Sequence, residues 1–152
     1  MKKYFFITWV THNSRYSEKM SMLKLKKQEW YFLDVEDRIF IYKLISEKLE
    51  KEWIKNFTLN VLSDHIHLVF MCEESELSEF IRKLKWAVSF KFLREKWFSK
   101  SWDWRNNKLW SRWFSKTYLD TEEHLEKAIK YTLENHEKHK IENILLLVNR
   151  GL

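Results

Sequence analysis

Two histidines one residue apart, His65 and His67, lie in the run Leu62-Ser63-Asp64-His65-Ile66-His67-Leu68-Val69-Phe70, whose apolar residues alternate as in a strand. Side chains at i and i+2 of a strand share a face, so both imidazoles point one way while Ile66, Leu68 and Phe70 point the other. Paired imidazoles can share one metal ion. Alternating histidines also decorate half-exposed strands without any metal, and spacing alone does not separate the two readings. The pair does open a strand just after Asp64, where a sheet meets solvent.

A second group lies downstream on a stretch with helical period. Leu125, Ala128, Ile129, Thr132 and Leu133 form its apolar stripe, and helical arithmetic sets Tyr131 about 130° from the stripe's centre. Asn135 follows one turn later, and His124 lies nearly two turns back on the same flank. Helical tyrosines commonly half-bury the ring and keep the hydroxyl wet. One displaced from the core stripe can also serve as a nucleophile, provided its surroundings activate a hydroxyl whose ordinary pKa is about 10.

The elements that must position these groups are read from periodicity, because the chain has no Pro and a single Gly, Gly151. Tyr4 to His12 alternates as a strand, and the polar, basic stretch from Asn13 to about Lys27, carrying Arg15, reads as a functional loop. Asp34 and Asp37 precede Ile41, Leu44, Ile45 and Leu49 at helical spacing. Phe57 to Val61 and Ile66 to Phe70 form a hairpin around Ser63-Asp64, and a second helix runs from Ser75 towards Trp97. On that helix Arg82, Lys85, Ser89 and Lys96 lie opposite the Leu77, Ile81, Leu84 and Val88 stripe, as a solvated basic face or a DNA contact. Trp102, Trp104, Trp110 and Trp113 then interleave with Lys100, Arg105, Arg112 and Lys116 in a segment whose later half is extended. Asp120-Thr121-Glu122-Glu123 starts the third helix, and Asn143 to Val148 reads as a last short strand. The expected class is α+β: a single domain over 1–152 with a central antiparallel sheet, helices mainly on one face, and the other face left for a site.

Bulk properties point towards a polyanion. The 152 residues carry 28 Lys and Arg against 22 Asp and Glu, for a net charge of +6, with 9 Trp, 6 Tyr and 11 Phe. A basic surface with surplus rings suits single-stranded nucleic acid, although +6 also serves plain solubility. One cysteine, Cys72, excludes a disulfide framework and a cysteine-based zinc site. With no apolar run of membrane-spanning length and no signal-peptide pattern, a cytoplasmic protein is expected.

Together, in this order, the two groups resemble the single-tyrosine HUH transposases. The run Leu62 to Phe70 is similar to the His-hydrophobic-His (HUH) motif; Arg82-Lys83-Leu84-Lys85, Leu109 to Phe114 and Asp120 to Asn135 follow as in the REP-associated tyrosine transposase branch. The resemblance runs from Tyr4 to about Lys140 and departs from the branch at Ser63, His136 and Lys140-Ile141, where Pro, Pro and Gly-Leu are usual. It implies a ferredoxin/RRM-like HUH endonuclease fold, His65, His67 and Asn135 as ligands of Mg²⁺ or Mn²⁺, and Tyr131 as nucleophile. It further implies cleavage and rejoining of single-stranded DNA through a 5′-phosphotyrosine, acting on a hairpin-forming element as monomer or homodimer. His124, His136 and water on the metal stand as candidate bases. Arg15, Arg82, Lys85, Arg105, Trp110 and Arg112 are the expected nucleic-acid contacts. Two alternatives stand beside this: a non-catalytic RRM-like module binding single strands, for which no RNP-type aromatic signature is found, and a replication initiator or relaxase. The latter often places a second tyrosine a turn away, whereas Tyr118 precedes Tyr131 by thirteen residues.

Overall fold

The structure is a computed structural model, and it describes residues 1–12, 14–15, 18–24, 32–99 and 108–151. Four strands, β1 (Lys2–Val10), β2 (Phe57–Val61), β3 (His65–Glu73) and β4 (Ser115–Leu119), form one antiparallel sheet in the order β2-β3-β1-β4. Strand alternation sorts the sheet into two faces. Phe5, Ile7 and Trp9 of β1 align with Phe70, Leu68 and Ile66 of β3, and Leu59 and Val61 continue that apolar face on β2. Helices α2 (Val35–Lys51) and α3 (Glu74–Ser99) cover it, adding Ile41, Ile45, Leu49, Leu77, Ile81, Leu84, Val88 and Phe92 to one core. Burying that apolar surface is the main stabilising term of the fold.

The other face is polar where it matters. Asn60, His67, Thr8 and Ser115 form one transverse row across all four strands. Helix α4 (Glu122–His139) lies across this face, capped at its start by Thr121, whose side chain accepts from the His124 N–H. At its far end Lys140 takes φ 51°, a left-handed conformation that favours glycine. Of the α4 residues only Thr132 and Asn135 are buried. The α+β reading holds, with α4 sharing the site face of the sheet.

Two expectations need correction. Asn143 to Val148 is no strand: α5 (Ile144–Asn149) is a short helix capped by the Asn143 side chain, which accepts from the Leu145 N–H. A continuous apolar run of this length cannot be assigned by period. Its fate is decided by the cap and by Arg38, whose buried guanidinium donates to the Val61 and Glu142 carbonyls and draws the segment against α2. The stretch expected to be one loop holds a short helix, α1 (Glu18–Met22), and its remaining residues lie partly outside those described. No described helix is long and apolar enough to cross a membrane.

Candidate active site

His65 and His67 do share the α4 face of the sheet, 3% and 4% exposed, with ring centroids 4.7 Å apart. Each imidazole is oriented from behind. Thr8 lies opposite His67 on β1, its Oγ1 2.8 Å from His67 Nδ1. His65 Nδ1 donates to Asp64 Oδ1 at 2.5 Å. A carboxylate only accepts, so His65 Nδ1 carries the proton and the lone pair of its neutral ring lies on Nε2; where the Thr8 hydroxyl accepts from His67 Nδ1, the same holds for His67. Burial, reinforced by the nearby His65, His139, Lys138 and Arg15, pushes His67 down to about 3, so its ring is neutral at physiological pH. Burial pushes the Asp64 carboxyl up, but its bond to His65 and the charges of His65, Arg15 and His139 outweigh that and hold it below the ordinary value.

Helix α4 brings the second group to the same place. The Tyr131 ring, 42% exposed, stands 5.3 Å from the His67 ring and 6.0 Å from Phe6. One turn on, Asn135 is 2% exposed, and neither of its amide atoms has a partner among the described residues. His67 Nε2 and Asn60 Oδ1 are likewise buried without one. Buried polar atoms are rarely left so, and those that are call for a functional account. Another turn on, the His139 ring stands 4.9 Å from His65. Tyr131, Asn135 and His139 form an i, i+4, i+8 series, which drifts by about 40° per step and keeps to one flank.

This donor set fits a divalent ion: two neutral-capable imidazole nitrogens, each steadied by an outer partner, and an amide oxygen. Among the described residues no three His, Cys, Asp or Glu side chains are grouped to hold a metal. The residues present that could hold an ion are His65, His67 and the Asn135 amide.

Residues 14–136 match the family model described as "Transposase IS200 like". The chain belongs to the IS200-like transposase family. No curated protein matches it. Among solved structures, it is similar to a candidate transposase from Deinococcus radiodurans R1, at 18% identity and TM-score 0.57, over 89% of this chain and 91% of that one. It is also similar to a REP-associated tyrosine transposase bound to a REP hairpin, at 15% identity and TM-score 0.53, over 90% of this chain and 68% of that one. At such identities the likeness is one of fold.

The transposase treats its basic and aromatic candidates unequally. Arg15 stands at the rim of the histidine pair, 3.8 Å from Asp64 Oδ2. Arg112 is exposed and lies 5.2 Å over the Trp113 ring, itself exposed. This segment joins β1 at its Val10 end, level with His65, through the Ser111 N–H to Val10 carbonyl bond. Arg82 and Lys85 belong to α3, on the opposite face of the sheet. Arg82 pairs with Glu79 through two hydrogen bonds. Lys85 corrects the expectation of a solvated basic face: it is 8% exposed, and its ammonium donates to the Ser111, Arg112 and Trp113 carbonyls at 2.8, 3.2 and 3.2 Å. The connection into β4 folds over that flank of α3, and burial pushes Lys85 down to about 8, against carbonyls that favour its charged form. Trp110 is a core ring, buried edge-on against Trp9 at 6.1 Å, rather than a platform for bases. Arg105 lies outside the described residues.

The candidate bases also sort by position. His124 pairs with Asp120 at 2.6 Å in solvent, and His136 turns to the Leu133 carbonyl at 3.0 Å. His139, which the sequence did not single out, is the helical histidine whose ring meets that of His65. The i+4 spacing from Asn135 is a signal that could have found it.

Proposed function

We propose that this transposase is a metal-dependent single-stranded DNA endonuclease and strand transferase with Tyr131 as nucleophile. The observation that carries the reading is the Tyr131 ring set against His67, beside a buried imidazole nitrogen and a buried amide that lack partners among the described residues. The Tyr131 oxygen attacks the scissile phosphorus as its proton leaves. The bond to the 3′ oxygen breaks, and that oxygen takes up a proton as the upstream strand departs with a 3′-hydroxyl. The downstream strand stays joined to Tyr131 through its 5′ phosphate. Attack by a 3′-hydroxyl on this ester reverses the step and rejoins strands without ATP. His65, His67 and Asn135 would hold Mg²⁺ or Mn²⁺, which when bound polarises the phosphate and offsets the charge of the transition state. Arg15 meets a phosphate at the rim, and Arg112 with Trp113 offers charge and a ring to the adjacent strand. The likeness to a protein solved with a REP hairpin supports a hairpin-forming single strand as partner.

The test is an adduct. Wild type with Mn²⁺ and labelled single strands from the DNA flanking its own gene should yield a species that survives denaturing electrophoresis and carries the downstream 5′ end. Tyr131→Phe should bind the same DNA with unchanged affinity and form none. His65→Ala and His67→Ala should lose the adduct, with partial return at high Mn²⁺. An adduct that persists in Tyr131→Phe moves the nucleophile elsewhere, Tyr118 first; wild type that binds and never forms one is a binding module.

A further inference from the structure

Helix α4 must hold Tyr131 at a fixed height over the histidine strand, yet it is lightly anchored, with only Thr132 and Asn135 buried among its residues. The Thr132 hydroxyl turns back to the Ala128 carbonyl of its own helix and does not reach the sheet. The sheet reaches the helix instead. Asn60 of β2 stands opposite His67 in the β2–β3 register, is 1% exposed, and its Nδ2 donates to the Thr132 carbonyl at 2.9 Å. In the same transverse row, Thr8 holds His67 Nδ1 from the other side. One row of the sheet thus orients an imidazole and docks the helix that carries the tyrosine.

Packing alone does not call for an amide at this position. Asn60 Oδ1 is buried with no partner among the described residues, a destabilising arrangement that an apolar side chain would avoid. In some proteins a buried polar contact kept at a cost in stability serves to specify a position. We propose that Asn60 is a positioning residue, which by holding the Thr132 carbonyl sets Tyr131 over the His65–His67 pair of its own chain; this rests on Tyr131 being the nucleophile. The carbonyl follows Tyr131 by one residue in a rigid helix that rises about 1.5 Å per residue, so any slip of the docked carbonyl is passed to the tyrosine almost undiminished. Misplacing a reacting group by about 1 Å lowers a rate on the order of 100-fold.

Asn60→Leu removes the donor and keeps the branched heavy-atom skeleton. Its affinities for flanking single-stranded DNA and for Mn²⁺ should stay within about twofold of wild type, while adduct formation at saturating DNA and Mn²⁺ falls by about 100-fold. Asn60→Ser, a shorter donor, should lie between. A wild-type rate in Asn60→Leu overturns the inference. So does loss of DNA and Mn²⁺ binding together with cleavage, or failure of both variants to fold, because Asn60 is then a packing residue. A second arm mixes Tyr131→Phe with His67→Ala. Each protein lacks half of the site, and if the docked helix serves its own chain the mixture forms no adduct; restored adduct would place Tyr131 in another chain's site. Wild type that forms no adduct overturns the nucleophile reading itself, a result distinct from wild-type cleavage that Asn60→Leu leaves unchanged.

Discussion

Replacing Asn135 with leucine should make the fold more stable and the protein inert. The side chain is 2% exposed, and neither amide atom has a hydrogen-bond partner among the described residues. Burying an uncompensated amide costs about 1–3 kcal/mol. Leucine keeps the branched heavy-atom skeleton and is the better helix former, while its two methyl groups are bulkier than the amide atoms they replace and return part of the gain as crowding. Metal-free Asn135→Leu should therefore exceed wild type by up to about 2 kcal/mol, a rise in Tm of at most about 8 °C for a chain of this length. Metal should reverse the order. At a hundredfold excess over its Kd, Mn²⁺ adds about 2.7 kcal/mol to wild type, and the variant, lacking the amide oxygen, gains less. Calorimetry in EDTA and then in Mn²⁺ reads both changes, and the adduct gel reads the loss of cleavage. A variant less stable than wild type in EDTA would refute the reasoning, because relieving the unpaired amide would then not outweigh the crowding of the larger side chain.

The buried His67 imidazole gives stability a pH dependence of definite sign. Its value falls from 6.5 to about 3 on folding, so between these pH values the unfolded chain binds the extra proton. Metal-free stability should be full above 6.5 and decline as pH falls through that window, by at most about 1.4 kcal/mol per unit from this group; a His67→Gln variant with an equally steep decline would refute the assignment. Lys140→Gly should raise Tm by about 1–4 °C, since the left-handed φ of 51° strains any side chain; a fall in Tm refutes it. Arg112→Ala should reduce the salt slope of single-strand binding by about one, whereas Lys85→Met, whose ammonium is held by three carbonyls, should leave the slope unchanged. A flattened slope in Lys85→Met would return that lysine to the DNA surface.

What the sequence made legible follows the range over which each interaction acts. The i, i+2 histidines and the displaced tyrosine are local geometry, and both fall on the face expected of them because strand and helix periods are fixed by the backbone. The strands of β1, β2 and β3 were readable for the same reason. Lys85 was misread because helical arithmetic tells which flank a residue occupies and nothing about what folds over it; the cover comes from residues 111–113, remote in sequence. Trp110 is a similar case, since a ring among arginines looks like a stacking platform until a bridge to Thr11 draws it against Trp9. Asn60 carried no signal in a strand of alternating apolar residues, because its partner is a helix carbonyl 72 positions away. His139 differs from these, since its spacing from Tyr131 and Asn135 was visible and only its partner, His65, was not. A helix flank thus shows in sequence which side chains travel together, while the sheet row opposite decides which of them meet an imidazole.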